Sequence, residues 1–172
     1  IFKSLSSATA KVLILQQALL KYERLLRASG VDPETIAVTP TTPGTGVSLT
    51  GKLVVKVMAA HGVSKNDRQL DAHVVCKVDS VARGKTKTKA RAHAPTWNES
   101  FTLRLDKANV IEFEFYENNE LRCLSFFRLD ECLQEFNLSG QITAWFVLEP
   151  YGRLQLQLSF STFFFVLCAC LT

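Results

Sequence analysis

The sequence has little of what marks secreted, membrane-spanning or metal-binding proteins. Its five cysteines are odd in number and form no disulfide framework, so we expect free thiols in a reducing, cytoplasmic compartment. Its three histidines, His61, His73 and His93, lie far apart and have no cysteine at zinc-ligand spacing. The apolar run 163–171 is about half of the ~20 residues that span a bilayer. We therefore expect no metal and no cofactor, and the net charge of +4 selects no class of partner.

Catalytic motifs are also missing. The chain has no glycine-rich nucleotide loop, no H-R-D or D-F-G motif, and no serine or cysteine in a nucleophile elbow, so we expect no enzyme activity from it. It begins at Ile1 rather than at a methionine, with no signal or transit segment in front. We expect a piece of a longer protein.

Residues 1–30 contain an apolar stripe with the spacing of a coiled coil. Apolar residues recur at alternating intervals of four and three, which is the a/d pattern of a helix that packs on a partner helix. Gly30 is suited to end that helix in a left-handed conformation. One helix cannot bury this stripe alone, so it either binds a partner or folds back on the following domain. The stripe comprises Ala8, Val12, Leu15, Leu19, Tyr22 and Leu26.

A flexible linker is predicted over residues 31–50. Prolines, glycines and threonines alternate there without a period of two or 3.6. Thr39-Pro40 and Thr42-Pro43 are either sites for proline-directed kinases or parts of a plain spacer.

From Gly51 onward the hydrophobic period changes to two, which indicates strands with one buried and one solvated face. Eight such strands and one short helix near residues 129–136 predict an antiparallel β-sandwich over residues 51–160. Trp97 and Trp145 are interpreted as core or turn anchors. The predicted strands lie near residues 53–59, 72–78, 83–91, 101–105, 111–115, 122–128, 143–148 and 154–160.

The strand near residues 83–91 is unusually basic. Its five cations occupy alternate positions, so in a regular strand they leave the same face. Such a face attracts anionic phospholipid headgroups; the alternative is a charged strand that discourages edge pairing. No aromatic residues interleave with the charges, which disfavours nucleic acid. The predicted lipid-binding residues are Arg83, Lys85, Lys87, Lys89 and Arg91, with Lys77 on the neighbouring strand.

The segment after the basic strand resembles a known family. Residues 96–101, Thr-Trp-Asn-Glu-Ser-Phe, are similar to the P-x-W-N-E-x-F signature of C2 domains. The order FTLRLDKANVIEFEFY, LRCLSFFRLDECL and FVLEPYGRLQLQLSF from Phe101 to Phe160 resembles the C2-like domain of the protein kinase N (protein kinase C-related) family. The fold class is therefore expected to be mainly β, an eight-stranded antiparallel C2-type sandwich with an N-terminal coiled-coil helix.

This resemblance implies an architecture and partners. Protein kinase N carries Rho-binding coiled coils, then the C2-like domain, then a Ser/Thr kinase domain. Residues 1–30 would be the last helix of such a coiled coil, and the chain a regulatory fragment that docks peripherally on anionic membranes. The alternative role is binding a Rho-family GTPase or restraining the parent's own kinase domain. The apolar residues 161–172 depart from the family pattern, and we expect them to be aberrant or, less simply, membrane-touching.

Calcium is not expected to take part. C2 domains that bind calcium collect several aspartates on two loops, because the ion takes six to eight oxygen ligands. The first loop here offers Asp67 with Asp71 just beyond, and the second offers only Glu117 and Glu120. The sequence predicts a calcium-independent domain.

Overall fold

The computed structural model describes residues 7–28, 48–63 and 70–162. Helix α1 (Ser7–Ala28) precedes nine strands in these ranges. A 3-10 turn (Asp130–Cys132) and helix α2 (Leu133–Ser139) lie between the seventh and eighth strands, and Gly140 ends α2 in the left-handed conformation. The strands are β1 (Leu49–His61), β2 (Leu70–Val78), β3 (Val81–Lys85), β4 (Lys89–Ala92), β5 (Thr96–Ala108), β6 (Val110–Glu117), β7 (Glu120–Arg128), β8 (Gln141–Val147) and β9 (Arg153–Thr162).

The strands form two antiparallel sheets. One has four strands in the order β5-β1-β9-β8; the other has five, in the order β3-β2-β6-β7 with β4 also paired to β2. The predicted sandwich is confirmed. The ninth strand arises because the predicted basic strand is divided into β3 and β4. The predicted linker and tail lie outside the described residues, except for 48–50 and 161–162.

Period-two alternation builds the core between the sheets. In β1, Leu53, Val55 and Val57 are fully buried, while the residues between them are more exposed. Phe113 and Phe115 of β6 meet them from the five-stranded sheet. Burying such side chains contributes roughly 1.5–3 kcal/mol each, so alternation alone fixes which face of each strand points inward.

The opposite side of the five-stranded sheet, here called the outer face, carries the residues between the core positions. His73 and Lys77 of β2 lie on it, together with Glu112, Glu114 and Tyr116 of β6. Helix α1 packs against this sheet beside β7. The outer face is therefore partly covered by the N-terminal helix.

Four connections meet at one end of the sandwich, here called the loop end. The Ala60 amide donates to the Pro95 carbonyl, and the Asn118 amide donates to the Asp71 carbonyl. Gly152, at φ +93°, lies against Gly62, and a Cβ there would lie 2.9 Å from Val63 Cγ1 and crowd the carbonyl oxygens of His61 and Gly62. These contacts bring the described start of the β1–β2 connection together with the β4–β5 and β8–β9 connections, while the β6–β7 connection lies beside the start of β2.

Candidate functional site

The predicted basic strand is interrupted. Arg83 and Lys85 belong to β3, Lys87 lies in a three-residue break, and Lys89 begins β4. Arg83, Lys85 and Lys87 are exposed, whereas Lys89 is half-buried. Arg91 lies in β4, but its side chain is outside the described part of the structure. We call residues 83–91 the basic segment.

Bonds to two neighbouring strands explain the break. The Thr86 hydroxyl turns into the core and accepts a hydrogen bond from the Val74 amide at 2.9 Å, while the Thr86 amide donates to the Val74 carbonyl. The next residue leaves the β2 ladder and is held by β5 instead. The Lys87 amide donates to the Glu99 carboxylate at 3.1 and 3.2 Å, and the Lys87 carbonyl accepts from Trp97 Nε1 at 3.0 Å.

The prediction that all five cations leave one face is wrong. Lys85 pairs with Val75, whose side chain belongs to the outer face. Lys89 pairs with Ala72, which is fully buried in the core. Because paired residues point to the same side of a sheet, Lys89 lies on the core side of the edge rather than beside Lys85. The break adds one residue between Lys85 and Lys89, and this extra residue reverses the facing of Lys89.

Lys77 lies on the outer face, on the strand next to the basic segment, but its ammonium group is paired with a carboxylate. Its Nζ lies 2.7 Å from Glu114 Oε2, and its side chain is 17% exposed. The exposed patch at the edge thus comprises Arg83, Lys85 and Lys87, and Lys77 does not extend it as a free cation. The sequence could not reveal this because the ion pair joins residues on two strands.

Glu114 is the centre of a charged cluster on the outer face. The carboxylate is fully buried; it accepts from the Tyr116 hydroxyl at 2.9 Å and makes an ion pair with Lys11 of α1 at 2.7 Å. Burial alone would raise the pKa of Glu114, but the contacts with Lys11, Lys77 and Tyr116 outweigh it and lower the pKa. Burial also acts against the charge of Lys11, yet Glu112 and Glu114 raise the pKa of Lys11 to about 12.

His73 extends this cluster toward the basic segment. Its ring stacks on Tyr116, with centroids 5.0 Å apart and planes 2° from parallel. Burial, with a smaller effect of the Lys85 charge, lowers the pKa of His73 below 6.5. The ring is therefore neutral at physiological pH. Sequence reasoning did not find this stack, although the alternation of β2 places His73 opposite the core.

Helix α1 folds back on the sandwich, the alternative that the sequence left open. Ile14 is buried, and Lys11 contacts Glu112 and Glu114. Neither Ile14 nor Lys11 belongs to the predicted stripe. Val12, Leu15 and Leu19 remain 55%, 44% and 61% exposed. The side chains of the other stripe residues, Ala8, Tyr22 and Leu26, lie outside the described part.

At the loop end, the two glutamates that were considered for calcium have a protein partner. Arg122 Nε lies 3.0 Å from Glu117, and Arg122 Nη2 lies 2.8 Å from Glu120. Asp71 is exposed, and Asp67 lies outside the described residues. The described residues contain no group of three or more side chains of metal-ligating type.

The two tryptophans differ. Trp97 is buried in the core and meets Phe115 edge-on, which confirms its predicted anchoring role. Trp145 is exposed in the middle of β8, with the Arg153 guanidinium 4.8 Å from its ring centroid, so the prediction that it anchors the core or a turn is wrong. Exposed residues on either side of Ile142, Ala144 and Phe146 show the cause: these alternate positions take the inner face.

Two further structural findings bear on chemistry. Cys76 and Cys123 are buried cysteines that are not joined in a disulfide, and burial raises the pKa of Cys76 to about 12, which leaves that thiol protonated and unreactive. Within the ranges that the structure covers, no helix is long and apolar enough to cross a membrane.

Comparison with known proteins identifies relatives of this chain by sequence. Protein kinase C eta type from Rattus norvegicus is 28% identical over 100 residues, and protein kinase C from Aspergillus fumigatus is 29% identical over 157 residues. The matches cover 55% and 78% of this chain but only 15% and 14% of the relatives. These relatives are protein kinases C and are not specifically protein kinase N, so the narrower resemblance stays a prediction.

Solved structures match the fold. A C2 domain-containing protein from a putative elicitor-responsive gene superposes with a TM-score of 0.57 at 17% identity, covering 67% of this chain and 91% of the other. The tandem C2 domains of calcium-bound Extended-Synaptotagmin 2 give a TM-score of 0.56 at 18% identity, covering 67% of this chain and 47% of theirs. The C2 domain family model matches residues 51–148, more than half of the chain. The chain belongs to the C2 domain family.

Proposed function

We propose that the chain is a non-catalytic regulatory module that docks on anionic phospholipid surfaces without calcium, through the exposed cations of the basic segment. The observation that carries the proposal is the placement of Arg83, Lys85 and Lys87, three exposed cations on one edge of a C2 sandwich. Each Lys or Arg near an anionic membrane contributes about 1 kcal/mol, so three supply roughly 3 kcal/mol. This affinity is weak and salt-sensitive, which suits peripheral, reversible association.

The edge is held rigidly enough to present these charges together. Lys87 is bonded through both its amide and its carbonyl to β5, and Lys85 is part of the β2–β3 ladder. Glu99 is the acid next to the basic segment, and it is engaged by the Lys87 amide. The positive field of the edge therefore comes from backbone positions that are fixed by the fold.

Calcium independence is proposed from the loop end. A calcium ion takes six to eight oxygen ligands, and several of them must be carboxylates. Here the Arg122 guanidinium already pairs with both Glu117 and Glu120. A calcium ion would have to displace this cation before it found two ligands.

The parent protein is proposed to be a Ser/Thr kinase of the protein kinase C and protein kinase N type, acting in Rho-linked signalling. Two features support a kinase parent: the relatives are protein kinases C, and the Aspergillus fumigatus match covers more of the chain than the sandwich alone. The Rho link rests on the apolar stripe of α1 and on the resemblance to protein kinase N. The kinase activity and the signalling role would belong to the parent, of which this chain spans a small share.

The lipid proposal is tested by co-sedimentation of the full chain with liposomes. The vesicles contain phosphatidylserine and phosphoinositides, with calcium or chelator, at low and physiological salt. Lys85→Glu with Lys87→Glu removes two cations and adds two anions, so we expect binding to fall at least about thirty-fold. Lys52→Glu with Lys107→Glu makes the same charge change at exposed sites on the other sheet.

The outcomes separate the possibilities. Calcium-independent binding that the Lys85/Lys87 variant loses and the Lys52/Lys107 variant keeps supports the proposal. Equal loss in both variants means that net charge alone matters, and unchanged binding in both removes the basic segment from the mechanism. Binding that requires calcium refutes calcium independence.

A second candidate function is protein interaction through α1. Val12, Leu15 and Leu19 stay exposed although the helix is docked, and three aliphatic side chains on one stripe suit a helical partner. That partner would be a Rho-binding coiled coil, or the kinase domain of the parent. The test is capture of the full chain by an immobilised Rho-binding coiled coil of protein kinase N and, in parallel, by the kinase domain of that protein.

The control for this second candidate lies on the same helix. Leu20 is also exposed, at 53%, but is not part of the stripe. Leu15→Asp should abolish capture, whereas Leu20→Asp should not. If both variants bind as the unaltered chain does, the stripe is not the interface.

A further inference from the structure

The basic segment contains two threonines in different environments. Thr86 is buried, its hydroxyl accepts from the Val74 amide at 2.9 Å, and its own amide donates to the Val74 carbonyl. Thr88, two residues on, is exposed and lies in the break between β3 and β4. Of these two threonines, only Thr88 presents its side chain to solvent in the native fold.

The charges around Thr88 are all of one sign within the basic segment. Counted from Thr88, cations stand five, three and one residues before it and one and three residues after it. Those at Arg83, Lys85 and Lys87 are exposed. A kinase whose peptide groove is lined with carboxylates selects a hydroxyl in such surroundings by charge complementarity. Thr88 lies in the break and is not part of a strand ladder, so a kinase that binds its substrate in an extended conformation does not have to break regular strand pairing at this residue.

We propose that Thr88 is a phosphorylation site for a Ser/Thr kinase that selects basic flanking residues, and that phosphate there releases the chain from anionic lipid. In the reaction, Thr88 Oγ1 forms a bond to the γ-phosphorus of ATP, and the bond from that phosphorus to the bridging oxygen breaks. ADP leaves with the bonding electrons, and the hydroxyl proton passes to the base of the kinase. The second half of the proposal rests on the lipid-docking function proposed above.

The size of the effect follows from charge. A phosphothreonine carries about −1.5 to −2 charges at neutral pH and so offsets about two of the cations beside it. One cation near an anionic membrane changes affinity about five-fold, so neutralising two lowers it about thirty-fold. Thr86 offers no equivalent switch, because a phosphate on its hydroxyl would lie in the core and would break the hydrogen bond that this hydroxyl accepts from the Val74 amide.

The test uses the full chain with Mg-ATP and, in parallel, the catalytic domains of protein kinase C and of cAMP-dependent protein kinase. Phosphate is located by mass spectrometry, and a peptide of residues 83–91 is treated alongside. The chain is then co-sedimented with phosphatidylserine vesicles before and after treatment. Thr88→Val keeps the shape of the side chain and removes the acceptor.

We expect phosphate on Thr88 of the folded chain, with Thr86 modified at least ten-fold more slowly, although the peptide is modified at both threonines. Vesicle binding then falls about thirty-fold in the treated chain and not in treated Thr88→Val. The site is refuted if neither kinase modifies Thr88 in the folded chain, or if Thr86 reacts as fast, which would show that modification follows local unfolding. The switch is refuted if phosphorylated chain binds vesicles as before.

Failure of the lipid function is distinguishable from failure of the site. An untreated chain that binds no vesicles overturns lipid docking and its release together. The mass-spectrometric result still decides on Thr88.

Discussion

Lys11→Met is the change that most directly tests how α1 is held. Lys11 Nζ lies 2.7 Å from Glu114 Oε1 and also contacts Glu112. In the described part of the chain, no hydrogen bond of ordinary geometry reaches Glu114 Oε1, so the Lys11 charge is what stabilises this oxygen. Methionine keeps most of the length and helix propensity of lysine but removes that charge.

Two responses are open to the variant. If α1 stays docked, a buried carboxylate loses one of its two ammonium partners, and breaking a buried pair costs about 3–5 kcal/mol, less here because the Lys11 side chain is 25% exposed. If α1 leaves, Glu114 is hydrated and keeps Lys77. The cost is then mainly the burial of Ile14, about 1.5–3 kcal/mol. Undocking is the cheaper response, so we expect Lys11→Met to release the helix and spare the sandwich.

Hydrogen exchange measured by mass spectrometry checks this expectation segment by segment. In Lys11→Met, amides of residues 7–28 should lose protection, while those of β1 and β6 should keep it. Gln16→Met places the same side chain at an exposed position of α1 and should leave the exchange unchanged. Protection of α1 that is equal in all three proteins would show that the ion pair does not hold the helix.

The remaining predictions concern the outer face and the basic segment. The pKa of Glu114 is lower in the folded protein than in the unfolded chain, so the stability that Glu114 contributes is complete above about pH 4.5 and is lost as the pH falls through the folded pKa. We therefore expect α1 to undock in acid before the sandwich unfolds, as hydrogen exchange or near-UV circular dichroism would show. Simultaneous loss of both would contradict this. Thr86→Val leaves the buried Val74 amide without its acceptor and should lower the free energy of unfolding in urea by about 1–3 kcal/mol; no change would mean that the bond contributes nothing. Trp97→Phe removes the bond to the Lys87 carbonyl and should speed amide exchange in residues 83–91, and exchange at the original rate would place their anchorage elsewhere.

Much of the fold could be predicted from the sequence because it depends on a local pattern. Alternation of apolar and polar residues fixes which side of a strand is buried, and positions such as Leu53 and Phe113 are core in the structure as expected. The same logic applied to β8 places Trp145 on the exposed side, with Thr143 and Val147. The interpretation of Trp145 as a core or turn anchor rested on its position within a strand and did not use the alternation of that strand, and it was wrong.

The candidate site was less predictable because it depends on contacts between strands. Five cations at alternate positions suggested one charged face, yet the bonds of Thr86 to Val74 and of Lys87 to β5 divide the strand and turn Lys89 away. Likewise Lys77 was expected to join the basic face, but the β2–β6 register pairs it with Glu112, and its ammonium group reaches diagonally to Glu114. Spacing in one segment carries no information about which acid will lie across from a base.

Hydrophobic periodicity is enough to predict an antiparallel sandwich with a helix in front, because burial acts residue by residue along each element. The placement of that helix depends on contacts between distant parts of the chain. The a/d stripe left two possibilities open, a partner helix or packing against the following domain, and the helix packs against the domain through Lys11, which pairs with the buried Glu114, and through Ile14. A carboxylate removed from water requires a counter-charge, and the residue that supplies it lies about a hundred positions away in the sequence, where no local pattern points to it.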